Sequence, residues 1–211
     1  MAVKLGIIAR DDSTGLGYQT YDYYKHLKPL KTVVIDLSPI NGNAQNNWYP
    51  NAQKFYGIPS IADIHTILND IDVLLTAETP YNLHLYRIAR ERGVKTICVE
   101  NPEFYDHILY PEYDMPDLII LPSVWLQDQI SNHALSRGTK VIQLHHPVDT
   151  NEIEFIERSQ PIPFHIAGKP AYEDRNGTWD FMQAVPDGTI RSEEHTSELQ
   201  SRLHLVCRLL L

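Results

Sequence analysis

No run of apolar residues in this chain is long enough to cross a bilayer, which argues against a helical membrane span. The opening residues, MAVKLGIIAR, hold too short an apolar stretch for a secretory signal. Lys4 and Arg10 bracket it as the flanks of a strand, so a cytoplasmic protein is expected. Cysteine is nearly absent. Cys98 sits within an apolar strand pattern and Cys207 lies in a tail set aside below, so neither a disulfide framework nor a cysteine metal site is expected. Positive charge is also in short supply, with 18 Lys and Arg against 27 Asp and Glu and a formal net charge of −9. Without a clustered basic surface the phosphates of a duplex would go unneutralised, which excludes a duplex nucleic-acid binder.

What remains is an ordinary globular composition, 43% hydrophobic and 21% charged over 211 residues, enough for one domain and part of another. The stretch from Val3 to Tyr24 reads as a buried strand (Val3 to Ala9), a polar turn carrying Gly15-Leu16-Gly17, and a helix beginning near Gln19. Glycines in such a turn let a ligand approach the backbone, and the free N–H groups of a helix start attract anionic oxygens. They also serve simply for turning. Further short apolar runs follow at Lys31 to Leu37, Asp72 to Thr76, Val94 to Val99, Asp117 to Leu121 and Lys140 to Leu144. Helical stretches separate them at Ile61 to Asn69, Asn82 to Arg92 and, capped by Ser123, up to about Ser136. Asn41 to Pro59 reads as a long loop punctuated by Asn and Pro, of the kind that is commonly functional or mobile.

Six short strands alternating with helices predict an α/β fold with a Rossmann-like, doubly wound parallel sheet. Ligands of such sheets bind beyond the carboxyl ends of the strands. The residues to inspect are therefore Asp11 to Gly17, Glu78-Thr79, Glu100-Asn101, Ser123 and His145 to Asp149. Glu78 and Glu100 are candidates for acceptor-binding or general-base carboxylates, with a solvated or helix-capping acid as the plainer reading. His145 and His146 are adjacent on an extended segment and so point to opposite faces, which argues against a metal site. Tyr18, Tyr21, Tyr23, Tyr24, Trp48 and Tyr49 are candidates for stacking on sugar rings, with packing favoured for the helical tyrosines. Trp125 and Leu126 are assigned to a helix core.

Pro161 and Pro163 mark a change of segment, after which Phe164 to Ala167, a loop, and a helix from Thr178 to about Ala184 repeat the opening unit. The expected organisation is an amino-terminal Rossmann-like domain over 1–158, a linker and the first βα unit of a second domain over 159–187, and a tail over 188–211. From Arg191 onward the tail, RSEEHTSELQS, resembles the translation of a sequencing-library adapter, so it is expected to be non-native and is excluded from the fold argument.

The segments GIIARDDSTGLGYQT, LPSVWLQDQI, HHPVD and HIAGKPAYEDRNGTWDFMQAV, in that order, resemble a glycosyltransferase of the two-Rossmann-domain (GT-B) type, in the retaining families that use nucleotide-activated sugars. The resemblance covers residues 1 to about 187. It implies transfer of a sugar from a nucleoside diphosphate to an acceptor glycan or other hydroxyl compound, with no metal and no other cofactor. Gly15 and Gly17 match the family's glycine turn facing the donor diphosphate, and Lys169 matches its basic residue after the first donor-domain strand. Asn176-Gly177 stands where the family usually has Lys-Gly, and the neighbouring Arg175 can supply the missing cation through paired hydrogen bonds to phosphate. The family's histidine after a middle strand has no counterpart, because Glu100 and Asn101 follow the corresponding strand. With most of the donor domain lacking, the chain alone is expected to be inactive. A second reading is an NAD(P)-dependent Rossmann oxidoreductase, against which stand the incomplete glycine pattern and the possibility that Asp36 merely caps its strand. A third is a non-catalytic domain that binds a nucleotide or a partner.

Overall fold

Strand alternation decides the layering. A computed structural model describes residues 2–102, 105 and 112–147, and every strand in it joins one parallel sheet. The strands are β1 (Leu5–Ala9), β2 (Lys31–Asp36), β3 (Gln53–Tyr56), β4 (Val73–Ala77), β5 (Lys95–Val99), β6 (Leu118–Leu121) and β7 (Lys140–Gln143). Between them run α1 (Gly15–Leu27), the single turn α2 (Ser38–Asn41), α3 (Ile61–Ile67), α4 (Leu85–Glu91) and α5 (Gln127–Ser136). Successive side chains of a strand point to opposite faces. Ile8, Val33, Leu74 and Cys98 accordingly meet Ile64, Ile67, Leu85, Ile88 and Ala89 of α3 and α4 on one face. Ile7, Leu75 and Val99 pack with Tyr23 of α1, and Ala9 and Val34 with Tyr21, Tyr24, Trp48 and Tyr49, on the other. Ile119 stands in register with Cys98, so its cluster with Ile130 and Ala134 places α5 on the α3–α4 face. Both faces of the sheet are thus covered, which is why its strands read as continuous apolar runs.

The strand order is β3-β2-β1-β4-β5-β6-β7. It runs outward from β1 in one direction and then restarts on β1's other side with β4, so the order reverses between β1 and β4. In an open parallel sheet the crevice outside the carboxyl ends of the strands at that reversal is where ligands bind.

The α/β class and the parallel sheet agree with the sequence expectation, but several local readings are corrected. The sheet has seven described strands rather than six, because β3 lies inside the stretch expected to be a loop. At four residues with Gln53 exposed and Lys54 half-buried, this edge strand carries no apolar run to announce it. The first helix starts at Gly15, four residues before the expected Gln19, since Thr14 caps it by accepting from the Gly17 N–H at 3.2 Å. Ser123 does not cap the fifth helix. That helix begins after Leu126, whose φ is +56°, while Ser123 Oγ accepts from Trp125 N at 3.3 Å. Trp125 and Leu126 are exposed rather than in a helix core, because they precede the helix instead of lying on its inner face.

The first compact unit is Met1–Pro147, which divides the chain ahead of the expected boundary at 158. The expected linker, second βα unit and tail lie outside the described residues. No helix among the described residues is long and apolar enough to cross a membrane.

Candidate ligand-binding site

The two strands at the reversal end very differently. Beyond β1, Arg10, Asp11 and Asp12 are all buried, with 8%, 0% and 0% of their surface exposed. Buried charges persist only when paired and hydrogen-bonded, and these are. Asp12 accepts from the Arg10 guanidinium, from Thr14 Oγ1 at 2.5 Å and from Asn43 Nδ2 at 3.3 Å. Asp11 accepts from Trp48 N at 2.9 Å and faces Lys54 Nζ at 3.4 Å, while its carbonyl takes Asn46 N at 2.8 Å. The stretch expected to be a long loop is therefore pinned across the end of β1, and β3 exists in part to deliver Lys54 to Asp11. Thr20 ties the start of the turn to α1, accepting from Arg10 N at 3.1 Å.

Gly15 and Gly17 turn out to differ. Gly17 is buried, and a β-carbon there would lie 1.9 Å from the Asp12 carbonyl oxygen, so its glycine serves the packing of α1 against the β1 turn. Around Gly15 a β-carbon would meet nothing within 4 Å, so that position is open at the first turn of α1. The carboxylate of Asp12 stands beside the same turn, and its charge occupies the place where a helix start would otherwise draw an anion.

Beyond β4 the chain opens. A cleft of about 690 Å³ is lined by Glu78, Thr79, Tyr81 and His84 with Ile58 and Asp114, among others. Its loop holds two non-glycine residues in the left-handed region, Glu78 and Tyr81, each at φ +60°. Such conformations cost about 1–2 kcal/mol each and persist where the surroundings enforce them. Here the enforcement is visible. Glu78 N donates to Val99 O at 2.8 Å, the Asn101 side-chain amide donates to the Glu78 carboxylate, Tyr81 N donates to Thr79 Oγ1 at 3.0 Å, and Asn82 Nδ2 donates to Pro59 O at 2.8 Å. Burial pushes the Tyr81 phenol well up, with the Arg10 guanidinium beside it pulling the other way. Arg10 thereby links the closed end of β1 to the wall of the cleft.

Glu78 and Glu100, expected together as carboxylates, are separated by this geometry. Glu78 lines the cleft. Glu100 is 2% exposed at the end of β5, where its Oε2 accepts from the Cys98 thiol at 3.5 Å. Burial and the Glu100 charge push that thiol well up, which keeps it protonated as the donor. Asn101 joins the two acids, following Glu100 in sequence and donating to Glu78. Lys169 and Arg175 lie outside the described residues, as does Asp149. His145 Nδ1 approaches Pro122 O at 2.9 Å, whereas His146 Nδ1 meets Tyr23 Oη at 3.0 Å, so the adjacent rings do point to different partners. Among the described residues there is no group of three or more metal-ligating side chains. Tyr21 stacks on Trp48 with ring centroids 4.8 Å apart and meets Tyr49 edge-on at 5.9 Å, which puts these aromatics into packing over Ala9 and Val34. Asp36 Oδ1 accepts from Ser38 N at 2.8 Å, the capping role that was its alternative reading.

Sequence reasoning missed Arg10, Tyr81 and Asp114. Arg10 carried a signal, since a basic residue between an apolar strand and two aspartates is unusual as a mere flank. Tyr81 and Asp114 carried none, because only the strained loop and the approach of residues 113 and 114 make them neighbours. No protein-family model, curated protein or solved structure matches the chain.

Proposed function

We propose that residues 1–147 form the acceptor-side wall of a glycosyltransferase of the two-Rossmann-domain type, and that the cleft beyond β4 receives the hydroxyl compound to which the sugar is passed. The observation that carries the reading is the contrast at the strand-order reversal, where an open cleft with Glu78 in its lining adjoins a β1 end filled by the protein's own ion pairs. In the proposed reaction the acceptor oxygen bonds to the anomeric carbon as the bond from that carbon to the diphosphate oxygen breaks. Glu78 accepts the hydrogen bond of the attacking hydroxyl and then its proton. Positive groups facing the diphosphate offset the charge that builds on it, a role the resemblance gives to Lys169 and Arg175.

The oxidoreductase reading draws on one feature, since strands ordered outward from β1 in both directions also suit a dinucleotide. A pyrophosphate at the start of α1 would however face the Asp12 carboxylate, and Asp36 already spends one carboxylate oxygen on its cap. Calorimetric titration of the 211-residue chain separates the two. Saccharides are expected to bind, and Glu78→Gln, which keeps an oxygen for Asn101 but cannot take a proton, is expected to weaken that binding. Binding of NAD together with silence toward every saccharide would overturn the proposal.

A further inference from the structure

The lining of the cleft beyond β4 holds more than acids. Glu78 takes the Asn101 amide and Asp114 faces Arg87 Nε at 3.8 Å, so the carboxylates there are already engaged. Ile58, Pro80, Tyr81 and Leu83 belong to the same lining. Ile58 and Leu83 keep 68% and 46% of their surface exposed. Apolar side chains scattered singly over a surface need no explanation, but these two flank one tie. Asn82 Nδ2 donates to Pro59 O at 2.8 Å, which fastens the turn after β3 that carries Ile58 to the loop before α4 that carries Leu83. Each backbone is also fixed on its own side. Gly57, at φ +75°, donates from its N–H to Asp36 O at 2.8 Å, and Ser60 and Asp63 form a capping box. Asn82 Oδ1 accepts from His84 N at 2.9 Å, and Leu85 N donates to Asn82 O at 3.0 Å. Two apolar groups are thus presented in the cleft on an ordered backbone, outside the core, and a ligand that covers them gains burial with little further ordering of the protein.

We infer that the acceptor of this cleft is an amphiphile, a polyhydroxyl ring bearing a short alkyl group, with a hydroxyl at Glu78 and the alkyl group over Ile58 and Leu83. The inference rests on the reading of the cleft as the acceptor site. Continuity favours one ligand spanning both parts, because Glu78, Ile58 and Leu83 line a single space of about 690 Å³, within the range of small-molecule sites. A bare sugar seated at Glu78 would leave the two apolar side chains in water.

Methyl and butyl β-glucoside share the ring and differ only in the length of the alkyl group, and calorimetric titration of both into the 211-residue chain tests this. Complete burial of a methylene strengthens binding about fourfold, and half of that free energy is expected in an open cleft, about twofold for each. Butyl glucoside should therefore bind about eightfold more tightly than methyl glucoside, with a more negative heat-capacity change. In Ile58→Ser with Leu83→Ser the ratio should fall to about twofold. Val124→Ser with Leu144→Ser, which removes apolar groups exposed outside the cleft lining, should keep it at about eightfold. The inference is overturned, with the acceptor reading left in place, by equal affinities for the two glucosides, by a ratio that survives the first pair of substitutions, or by one that the second pair abolishes equally. A ratio that collapses as protein concentration rises, because copies of the chain cover the patch, overturns it in the same way. Silence toward both glucosides overturns both readings.

Discussion

Arg10–Asp12 and Glu78–Tyr81 follow neighbouring strands of one sheet, yet the first ends in a sealed ionic cluster and the second in a strained loop around open space. The difference shows how two neighbouring, topologically equivalent strand ends come to differ, one closed by the protein's own ion pairs and one left open. Every parallel strand presents free backbone groups at its carboxyl end. At β1 those groups are taken up by Asn46 N, which donates to the Asp11 carbonyl, and by the Thr20 hydroxyl, which meets both N and O of Arg10. At β4 a loop costing conformational energy keeps Glu78 and Tyr81 at the wall of a cleft. Stability is invested at one end and strain is held at the other.

Removing the seal should have the largest effect. Asp12→Ala leaves the buried Arg10 guanidinium, Thr14 and Asn43 without their acceptor, and about 3–5 kcal/mol of stability should be lost in urea unfolding. The double variant Arg10→Met with Asp12→Leu should recover much of that loss, because an apolar pair avoids the desolvation of both ions. If the single variant costs under about 1 kcal/mol, the β1 end is not the sealed region described. Next in size comes Gly17→Ala, whose methyl meets the Asp12 carbonyl. A loss of about 2–3 kcal/mol is expected. Its control is Gly15→Ala, where space is open and thermal denaturation should register a change within about 0.5 kcal/mol.

At the other end, Glu78→Gly relieves a left-handed backbone while removing the carboxylate. Stability should change by no more than about 1 kcal/mol in either direction, since released strain offsets greater freedom in the unfolded chain. Saccharide binding should fall in the same protein, and unfolding curves beside titrations would show whether strain and binding share this residue. The frame common to both ends offers the smallest expected change. Burial alone would raise the Asp117 carboxyl, but bonds from Lys95 Nζ, Thr96 N and Thr96 Oγ1 outweigh it and hold the group below its ordinary value. A depressed carboxyl stabilises the fold above the unfolded pKa, and that contribution is lost as pH falls through the folded value. Asp117→Asn should therefore cost about 1 kcal/mol near pH 7 and less below about pH 4, measured by urea midpoints across pH.

Much of the frame was legible in the sequence because its signals are local. The apolar runs at Leu5–Ala9, Lys31–Asp36, Val73–Ala77 and Lys95–Val99 are buried on both faces and bounded by turn residues, so each announces itself without its neighbours. Gln53–Tyr56 did not, because an edge strand pairs on one side only and tolerates Gln and Lys. The helix start at Ile61 was legible, whereas those at Gly15 and Gln127 were misplaced, the first because glycines suggested a turn and the second because Ser123 bonds Trp125 N ahead of the helix. The site was legible as a set of strand ends but not as a choice among them. Glu78 and Glu100 look alike in sequence. Only packing buries Glu100 against Cys98 and brings Asp114 to the cleft that Glu78 lines.

The central claim is that ligand enters at the β4 end and not at the β1 end. Backbone amide chemical-shift mapping of the full chain, titrated with methyl glucoside, tests it most directly. The account predicts that shifts gather in residues 78–84 and 113–114 while those of 11–17 stay unchanged. Shifts confined to Gly15, Leu16 and Gly17 would contradict it.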